Sequence, residues 1–386
     1  MGIVQTANSI SKYMVRSKTA GFPLRAAITL TNRCNLRCIG CTVPTRENAL
    51  NTELTESELR NLVIQLADQG IKIFYFFGGE PFLRRDFLDI VTCLSRDRGL
   101  FTETVTNGTL TTTAEKAKAI IDSGLSKIWF SIDGQKEAHD KFRGIDGTFE
   151  KTLRSIEVLA EARDKYKSPI LIDLAVTLTR FNYHLLDYFV QIAEKYRCYE
   201  VNLRHMGVFY PEDIKSFNDT IGKKIGKEVK TENFIFSSGH ESVLSKEDMP
   251  VLRENLKRIL NEKHSVEIHI EPDLMKVDDW RIGKNVKSCL HIYTQICINA
   301  RGSVVPCLWL DEYELGNIRE QTIEEIWNGE HYQYFRENFK EMLGCSKCCY
   351  FYLNLPDNLK RAIKVAHFPF KNLLLPDKIA KSQATT

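Results

Sequence analysis

Cys34, Cys38 and Cys41 stand in the spacing C-x3-C-x2-C, just after the apolar run Leu24–Leu30. Three thiolates from one short loop can hold three irons of a cubane iron–sulfur cluster and leave the fourth iron open to an outside ligand. Two plainer readings compete: half of a zinc site, or cysteines that only pack. Zinc sites mostly pair their ligands as C-x2-C. Packing cysteines have no reason to sit in a polar loop such as Thr31-Asn32-Arg33-Cys34-Asn35. The spacing favours the cluster.

Other residues able to do chemistry recur after further strand-like runs. Gly78-Gly79-Glu80-Pro81, Thr106-Asn107-Gly108 and Ser131-Ile132-Asp133-Gly134 each follow one, and Arg143-Gly144 lies beyond His139-Asp140. Glycines let backbone approach a ligand closely, and carbonyls with the Glu80 carboxylate can accept hydrogen bonds from an ammonium group. Asp133 suits a ribose hydroxyl, and Arg143 could clamp a carboxylate. Each is an ordinary turn taken singly. Together with the cysteines they crowd one rim. A second cysteine set comes late in the chain: Cys289, Cys307, and Cys345 with Cys348 as C-x2-C, Cys349 adjoining.

The elements that must position these residues alternate. Strand-like runs fall at Ala26–Leu30, Ile71–Phe77, Phe101–Thr106, Lys127–Ile132, Ile170–Val176 and Glu200–Leu203. Helical stretches lie between them near 55–68, 86–97, 113–123, 148–166 and 184–197, with Thr55 and Glu58 spaced as a capping box. Strands alternating with helices predict an α/β fold with a parallel sheet, and six units predict an open six-stranded barrel rather than a closed eight-stranded one. Ligands of such sheets bind at the carboxyl ends of the strands, where the cysteine loop and the three turns all fall.

The chain divides into an N-terminal extension (1–23), the barrel (24–206), a polar bridging insertion suited to a lid (207–285), the second cysteine region (286–352) and an amphipathic tail (353–386). The insertion carries a helical patch near 247–262 and a strand-like Val266–Ile270. Net charge is only +3, from 53 basic and 50 acidic residues, which argues against a nucleic-acid partner. No run is long and apolar enough for a membrane span, and no export signal is visible. The 11 cysteines therefore point to metal or cluster ligation in a reducing cytoplasm. The basic, apolar tail and the segment Ile10–Arg16 either touch a membrane surface peripherally or dock on their own domain.

On the cysteine triad, Gly78-Gly79-Glu80-Pro81 and the strand-four Ser131-x-Asp133-Gly134, residues 24–206 resemble the radical S-adenosylmethionine (SAM) superfamily. The resemblance implies a partial (β/α)6 radical SAM barrel with a 4Fe–4S cluster on Cys34, Cys38 and Cys41, its open iron chelated by SAM. The turn Gly78–Pro81 and Asn107 would then stand at the SAM site, with the methionine amine at Gly78–Glu80, the ribose at Ser131 and Asp133, and the carboxylate at Arg143. The family often has an aromatic residue before the third cysteine, where this chain has Gly40. The later cysteines, with Leu315-Gly316-Asn317-Ile318 and Ile326-Trp327-Asn328, look like a twitch or shortened SPASM region. That implies one auxiliary 4Fe–4S cluster on Cys289, Cys307, Cys345 and Cys348, with zinc on the same thiolates as the alternative.

The function so implied is reductive cleavage of SAM to a 5′-deoxyadenosyl radical. The radical abstracts hydrogen from a small-molecule or lipid-linked biosynthetic intermediate. Electrons would come from a donor such as flavodoxin or ferredoxin. A dehydrogenation with the auxiliary cluster as electron acceptor is the favoured outcome. A SPASM-type peptide maturase, a radical epimerase using Cys349 as hydrogen donor and, outside catalysis, a zinc-binding scaffold are the alternatives. About 23 residues before the first strand are too few for a leader-peptide domain. Cys93, Cys198 and Cys297 read as packing residues.

Overall fold

The computed structural model describes residues 17–41, 43, 52–207, 209–230, 241–271, 275, 289–346 and 348. One ten-stranded sheet frames it, in the order β10-β9-β8-β1-β2-β3-β4-β5-β6-β7. Six neighbours run parallel: β1 (Arg25–Thr29), β2 (Ile73–Phe77), β3 (Phe101–Thr106), β4 (Lys127–Ser131), β5 (Leu171–Leu178) and β6 (Glu200–His205). Between them the chain returns through α1 (Glu56–Asp68), α2 (Phe87–Ser95), α3 (Ala114–Ser123), α4 (Lys136–Arg143), α5 (Thr148–Lys165) and α6 (Leu186–Lys195). This is the expected partial barrel. Helix α4 escaped the sequence reading because it is almost wholly polar and buries only His139, Asp140 and Phe142.

Residue types explain the elements. Thr55 and Glu58 make both bonds of the predicted capping box, and Leu59, Leu62, Val63 and Leu66 form the buried face of α1. Strand side chains alternate between two faces. Ala26, Ile28, Phe74, Phe76, Ile128 and Phe130 point toward the helices and are fully buried. Thr29, Tyr75, Val105, Ser131, Ala175 and Arg204 line the lumen.

The sheet continues past the barrel at both edges. β7 (Glu267–Glu271) pairs parallel with β6. At the other edge β8 (Gln295–Ile298) pairs parallel with β1, and β9 (Ser303–Val305) and β10 (Gly316–Asn317) follow antiparallel. In the insertion, α7 (Pro211–Phe217) is followed by α8 (Met249–Asn261). α8 buries Leu252, Leu256 and Ile259 and pairs Arg258 with Asp187 of α6 at 2.5 Å, so this stretch forms barrel wall. The C-terminal region adds α9 (His291–Thr294), α10 (Ile323–Trp327), α11 (Glu330–Asn338) and α12 (Leu343–Ser346). It grips the N-terminal strap: Trp327 Nε1 donates to Gly21 O at 2.7 Å, and Asn328 Oδ1 accepts from Ala20 N at 2.8 Å. Among the described residues no helix is long and apolar enough to cross a membrane.

The starting end of the lumen holds buried charge. Lys127 Nζ lies 2.5 Å from Asp173 and 3.7 Å from Glu200, over the Trp129 ring at 3.9 Å. Arg25 pairs with Glu103 at 2.6 Å. Burial raises Asp173 to about 7, against the pull of Lys127. Removing one partner of a buried pair leaves the other uncompensated. Lys127→Met should therefore cost about 3–5 kcal/mol in urea denaturation, and adding Asp173→Asn should recover part of the loss.

Candidate active site

The cysteine loop follows β1 and is held at the rim by backbone. Gly79 N donates to Thr31 O at 2.8 Å, and Glu80 N to Arg33 O at 2.8 Å. A Cβ on Gly79 would lie 1.9 Å from Arg33 O, and one on Gly78, at φ +141, 2.4 Å from Thr31 O. The two glycines are there because the loop lies against the turn with no room for a side chain. On the loop's other side, Arg37 N and Ile39 N donate to the Arg143 and Phe142 carbonyls at 3.2 and 2.8 Å. Gly144 closes that contact, since a Cβ there would stand 2.4 Å from Arg37 O. Gly40, at φ +76, makes the bend between Cys38 and Cys41.

Glu80 is fully buried, and its carboxylate accepts from Thr106 Oγ1 and Asn107 N at 2.8 Å each and from Phe82 N at 3.2 Å. Pro81 starts the short helical turn that Glu80 caps. Burial lifts Glu80 to about 7 despite these donors. Asn107 extends the chain of contacts, donating to Asn35 Oδ1 at 2.9 Å. Glu80 and Asn107 thus tie the β2 and β3 turns to the cysteine loop.

Asp133 and Arg143, assigned separately from sequence, form an ion pair in which Asp133 is buried and Arg143 partly so. Arg143 Nη1 also lies 3.7 Å from Cys38 Sγ. Burial opposes the Arg143 charge, but Asp133 and Cys38 outweigh it and hold the guanidinium above its ordinary value. Asp133 Oδ1 accepts from Thr177 N at 2.7 Å, and Asp133 N donates to His139 Nδ1 at 3.2 Å. His139 is thereby neutral, with burial and then Arg143 lowering it to about 4.

A cavity of about 430 Å³ opens above these elements, within the range of small-molecule sites. Gly40 and Cys41 line one side and Leu308, Trp309 and Asp311 the other, with Tyr75, Phe77, Phe209 and Arg204 between. Of the residues singled out from sequence, Cys41, Gly78 and Ser131 face it. Gly79, Glu80, Pro81, Asn107, Asp133 and Arg143 are not among the residues that line it. The second cysteine set also assembles: burial pushes Cys289 up to about 12 and Cys307 and Cys345 well above their ordinary value, each further raised by other cysteines of the set, Cys348 included. Cys349 lies outside the described residues. Cys297 and Cys198 are buried as expected, whereas Cys93 on α2 is partly exposed.

Residues 28–184 match the model of the radical SAM superfamily, and residues 289–349 that of the SPASM iron–sulfur cluster-binding domain. The chain belongs to the radical SAM superfamily. Fe-coproporphyrin III synthase of Methanosarcina barkeri is 25% identical to it over 312 residues, 77% of this chain and 72% of that one. An AdoMet-dependent heme synthase of Nitratidesulfovibrio vulgaris is 27% identical over 334 residues, 83% of each chain. Streptococcus suis SuiB bound to S-adenosylmethionine shares the fold, with a TM-score of 0.61 at 16% identity over 86% of this chain and 72% of that one.

The radical SAM domain takes a 4Fe–4S cluster with SAM, and the SPASM domain an auxiliary cluster. The residues present fit both. Burial pushes the Cys34 thiol up to about 11, with Cys38, Glu80 and Cys41 adding to it, so a thiolate there needs a cationic core to hold it ionised. Asn32 Oδ1 is buried at the cavity wall without a hydrogen-bond partner among the described residues, an acceptor suited to a ligand donor. Among the described residues no three His, Cys, Asp or Glu side chains converge on a single metal ion.

Tyr75, Arg204 and Trp309 were missed from sequence, and His139 was named only as a neighbour of Arg143. Tyr75 sits in the all-aromatic run Phe74-Tyr75-Phe76-Phe77, which hides its facing. Arg204 carried a usable signal, a cation inside an otherwise buried strand.

Two expectations follow. Gly79→Ala should displace Arg33 and halve the iron content by emptying the first cluster, leaving SPASM iron in place, as iron analysis would read. His139, lowered from 6.5 to about 4, contributes stability above its unfolded value that is lost as pH falls from 6.5 through about 4. The full loss is about 3 kcal/mol. His139→Gln should flatten that acid limb in thermal melts taken across the range.

Proposed function

We propose that this radical SAM enzyme abstracts a hydrogen atom from an anionic biosynthetic intermediate seated in the cavity, in a net oxidation whose leftover electron departs toward the SPASM domain. The observation that carries the reading is the cavity itself, which touches the Cys38–Cys41 bend on one side and the segment after Cys307 on the other. In this reading Cys34, Cys38 and Cys41 hold the first cluster and Cys289, Cys307, Cys345 and Cys348 the auxiliary one. When bound, the cluster and SAM supply the 5′-deoxyadenosyl radical that takes the hydrogen.

The chain's own residues bind and orient. Gly78 gives the methionine end of SAM close access to backbone, and Ser131 faces its ribose. Asp133 fixes Arg143, and Arg143 meets the carboxylate. Arg204 sits in the cavity with its Nε donating to Asn202 Oδ1 at 3.0 Å, which aims the guanidinium. A carboxylate set against it would hold a flat substrate between Tyr75, Phe77, Phe209 and Trp309. The relatives named for making Fe-coproporphyrin III and heme favour a tetrapyrrole as the first substrate to try, since tetrapyrroles are flat and carry carboxylates. Holding the target carbon beside the SAM site is the protein's main contribution to rate.

Anaerobically reconstituted protein should carry about eight irons per chain, the content of two 4Fe–4S clusters. With a low-potential reductant and SAM it should form 5′-deoxyadenosine, and Fe-coproporphyrin III should raise that yield while being consumed. Cys38→Ala should abolish the nucleoside. Arg204→Gln should keep uncoupled SAM cleavage and raise the substrate KM about tenfold or more, the loss of one charged hydrogen bond. Colourless protein with tightly bound zinc, or no nucleoside above the Cys38→Ala level, would sink the reading.

A further inference from the structure

Tyr332 on α11 is fully buried, yet its hydroxyl has no hydrogen-bond partner among the described residues. Leaving a buried hydroxyl unbonded costs about 1–3 kcal/mol, so such groups in native proteins await an explanation. Of its neighbours, Arg336 also leaves one terminal nitrogen, Nη2, buried without a partner among the described residues. Trp327, packed edge-on at 4.6 Å, donates to Gly21 O, and Arg336, 4.2 Å above the phenol ring, donates to Ile292 O at 2.8 Å. The phenol is held where it is by ring packing and by the guanidinium, and rotation about its C–O bond leaves the proton free to turn.

The ring is stacked on Arg336, whose Nε donates to Ile292 O, three residues beyond the auxiliary cysteine Cys289. Burial raises the hydroxyl's pKa well above the ordinary tyrosine value; Arg336 pulls the other way, while the charges of Cys297, Cys289 and Cys307 add to the rise. The group is therefore a protonated donor at any working pH. No sulfur of a described cysteine is within hydrogen-bond reach of it. An inorganic core set among the auxiliary cysteines would bring sulfide acceptors into the space they leave.

We propose that the Tyr332 hydroxyl donates a hydrogen bond to a sulfur of the auxiliary cluster and so holds that cluster's potential up. The inference rests on the ligation of that cluster by Cys289, Cys307, Cys345 and Cys348. A hydrogen bond to cluster sulfur stabilises the reduced, more negative state, and such bonds are among the determinants of cluster potential. Arg336 over the ring strengthens the donor by drawing charge from it. Tyr332 is a positioning and tuning residue, since it touches no reacting atom.

The test uses the full chain with Cys34, Cys38 and Cys41 all changed to Ala, so that only auxiliary iron remains. About four irons per chain are expected in this parent, one 4Fe–4S cluster. Adding Tyr332→Phe, which keeps the packing, should leave the iron count unchanged and move the midpoint potential, followed by electron paramagnetic resonance, to a more negative value. Iron–sulfur stretches in resonance Raman should shift in deuterium oxide in the parent and lose that shift in Tyr332→Phe. Equal potentials in the two proteins, or loss of the iron from Tyr332→Phe, would overturn the proposal. A parent without iron would overturn the four-cysteine ligation beneath it, a result read before the phenol is touched.

Discussion

The contact on which the site depends is the one between two pieces of backbone, Arg33 against Gly79. It is closer than any side chain permits, and it is flanked by paired amide bonds from Gly79 and Glu80 to Thr31 and Arg33. The loop is thus anchored through main chain rather than through its cysteine side chains. The glycines pay a conformational cost in the unfolded chain, and the buried Glu80 carboxylate offsets it by drawing the β2 and β3 turns together through three donors.

Arg143 is placed by the same logic. Its carbonyl accepts from the cysteine loop while its guanidinium spans from Asp133 to the Cys38 sulfur. The residue thus senses the loop through backbone and charge at once. Asp133 keeps that cation from being buried alone. The neutral His139, accepting from Asp133 N, fixes the turn that presents the carboxylate.

How far the sequence disclosed this follows from the range of each signal. The six barrel strands were legible because apolar runs bounded by turns are local, and Phe101–Thr106 was placed to the residue. The cysteine loop and its glycine turn were legible because their spacing is local too. The partnership of β8 with β1 was not, since the two strands lie at opposite ends of the chain and only their register joins them. Helix α4 was hidden by polarity, although it supplies Arg143 and the carbonyls that clamp the loop. Asp133 and Arg143 were each noticed, but as ligands of something else; their attraction for one another is a tertiary fact that no spacing encodes.

The parallel pairing of β8 with β1 also decides what the auxiliary region can do. The cysteine loop leaves β1 at its finishing end, whereas Cys289 and α9 precede β8 and meet β1 at its start, where Leu24 N donates to Thr294 O at 2.8 Å. β1 is 5 residues long, so at about 3.3 Å per residue the two levels differ by roughly 16 Å. No small substrate atom bridges that gap to touch both cysteine sets at once. What crosses it is the segment after Cys307. It leaves β9 opposite Cys297, packs Leu308 against Ala27 and Val305, and reaches Asp311, whose carbonyl accepts from Asn299 at 3.2 Å beyond the finishing end of β8. Leu308 and Trp309 therefore wall the cavity along the barrel's open side while remaining continuous with an auxiliary cysteine. A substrate held there lies against a chain that leads to the second cysteine set. An electron can pass such a distance where a ligand atom cannot, and in the proposed reaction this geometry would separate the place of hydrogen abstraction from the place where charge is stored.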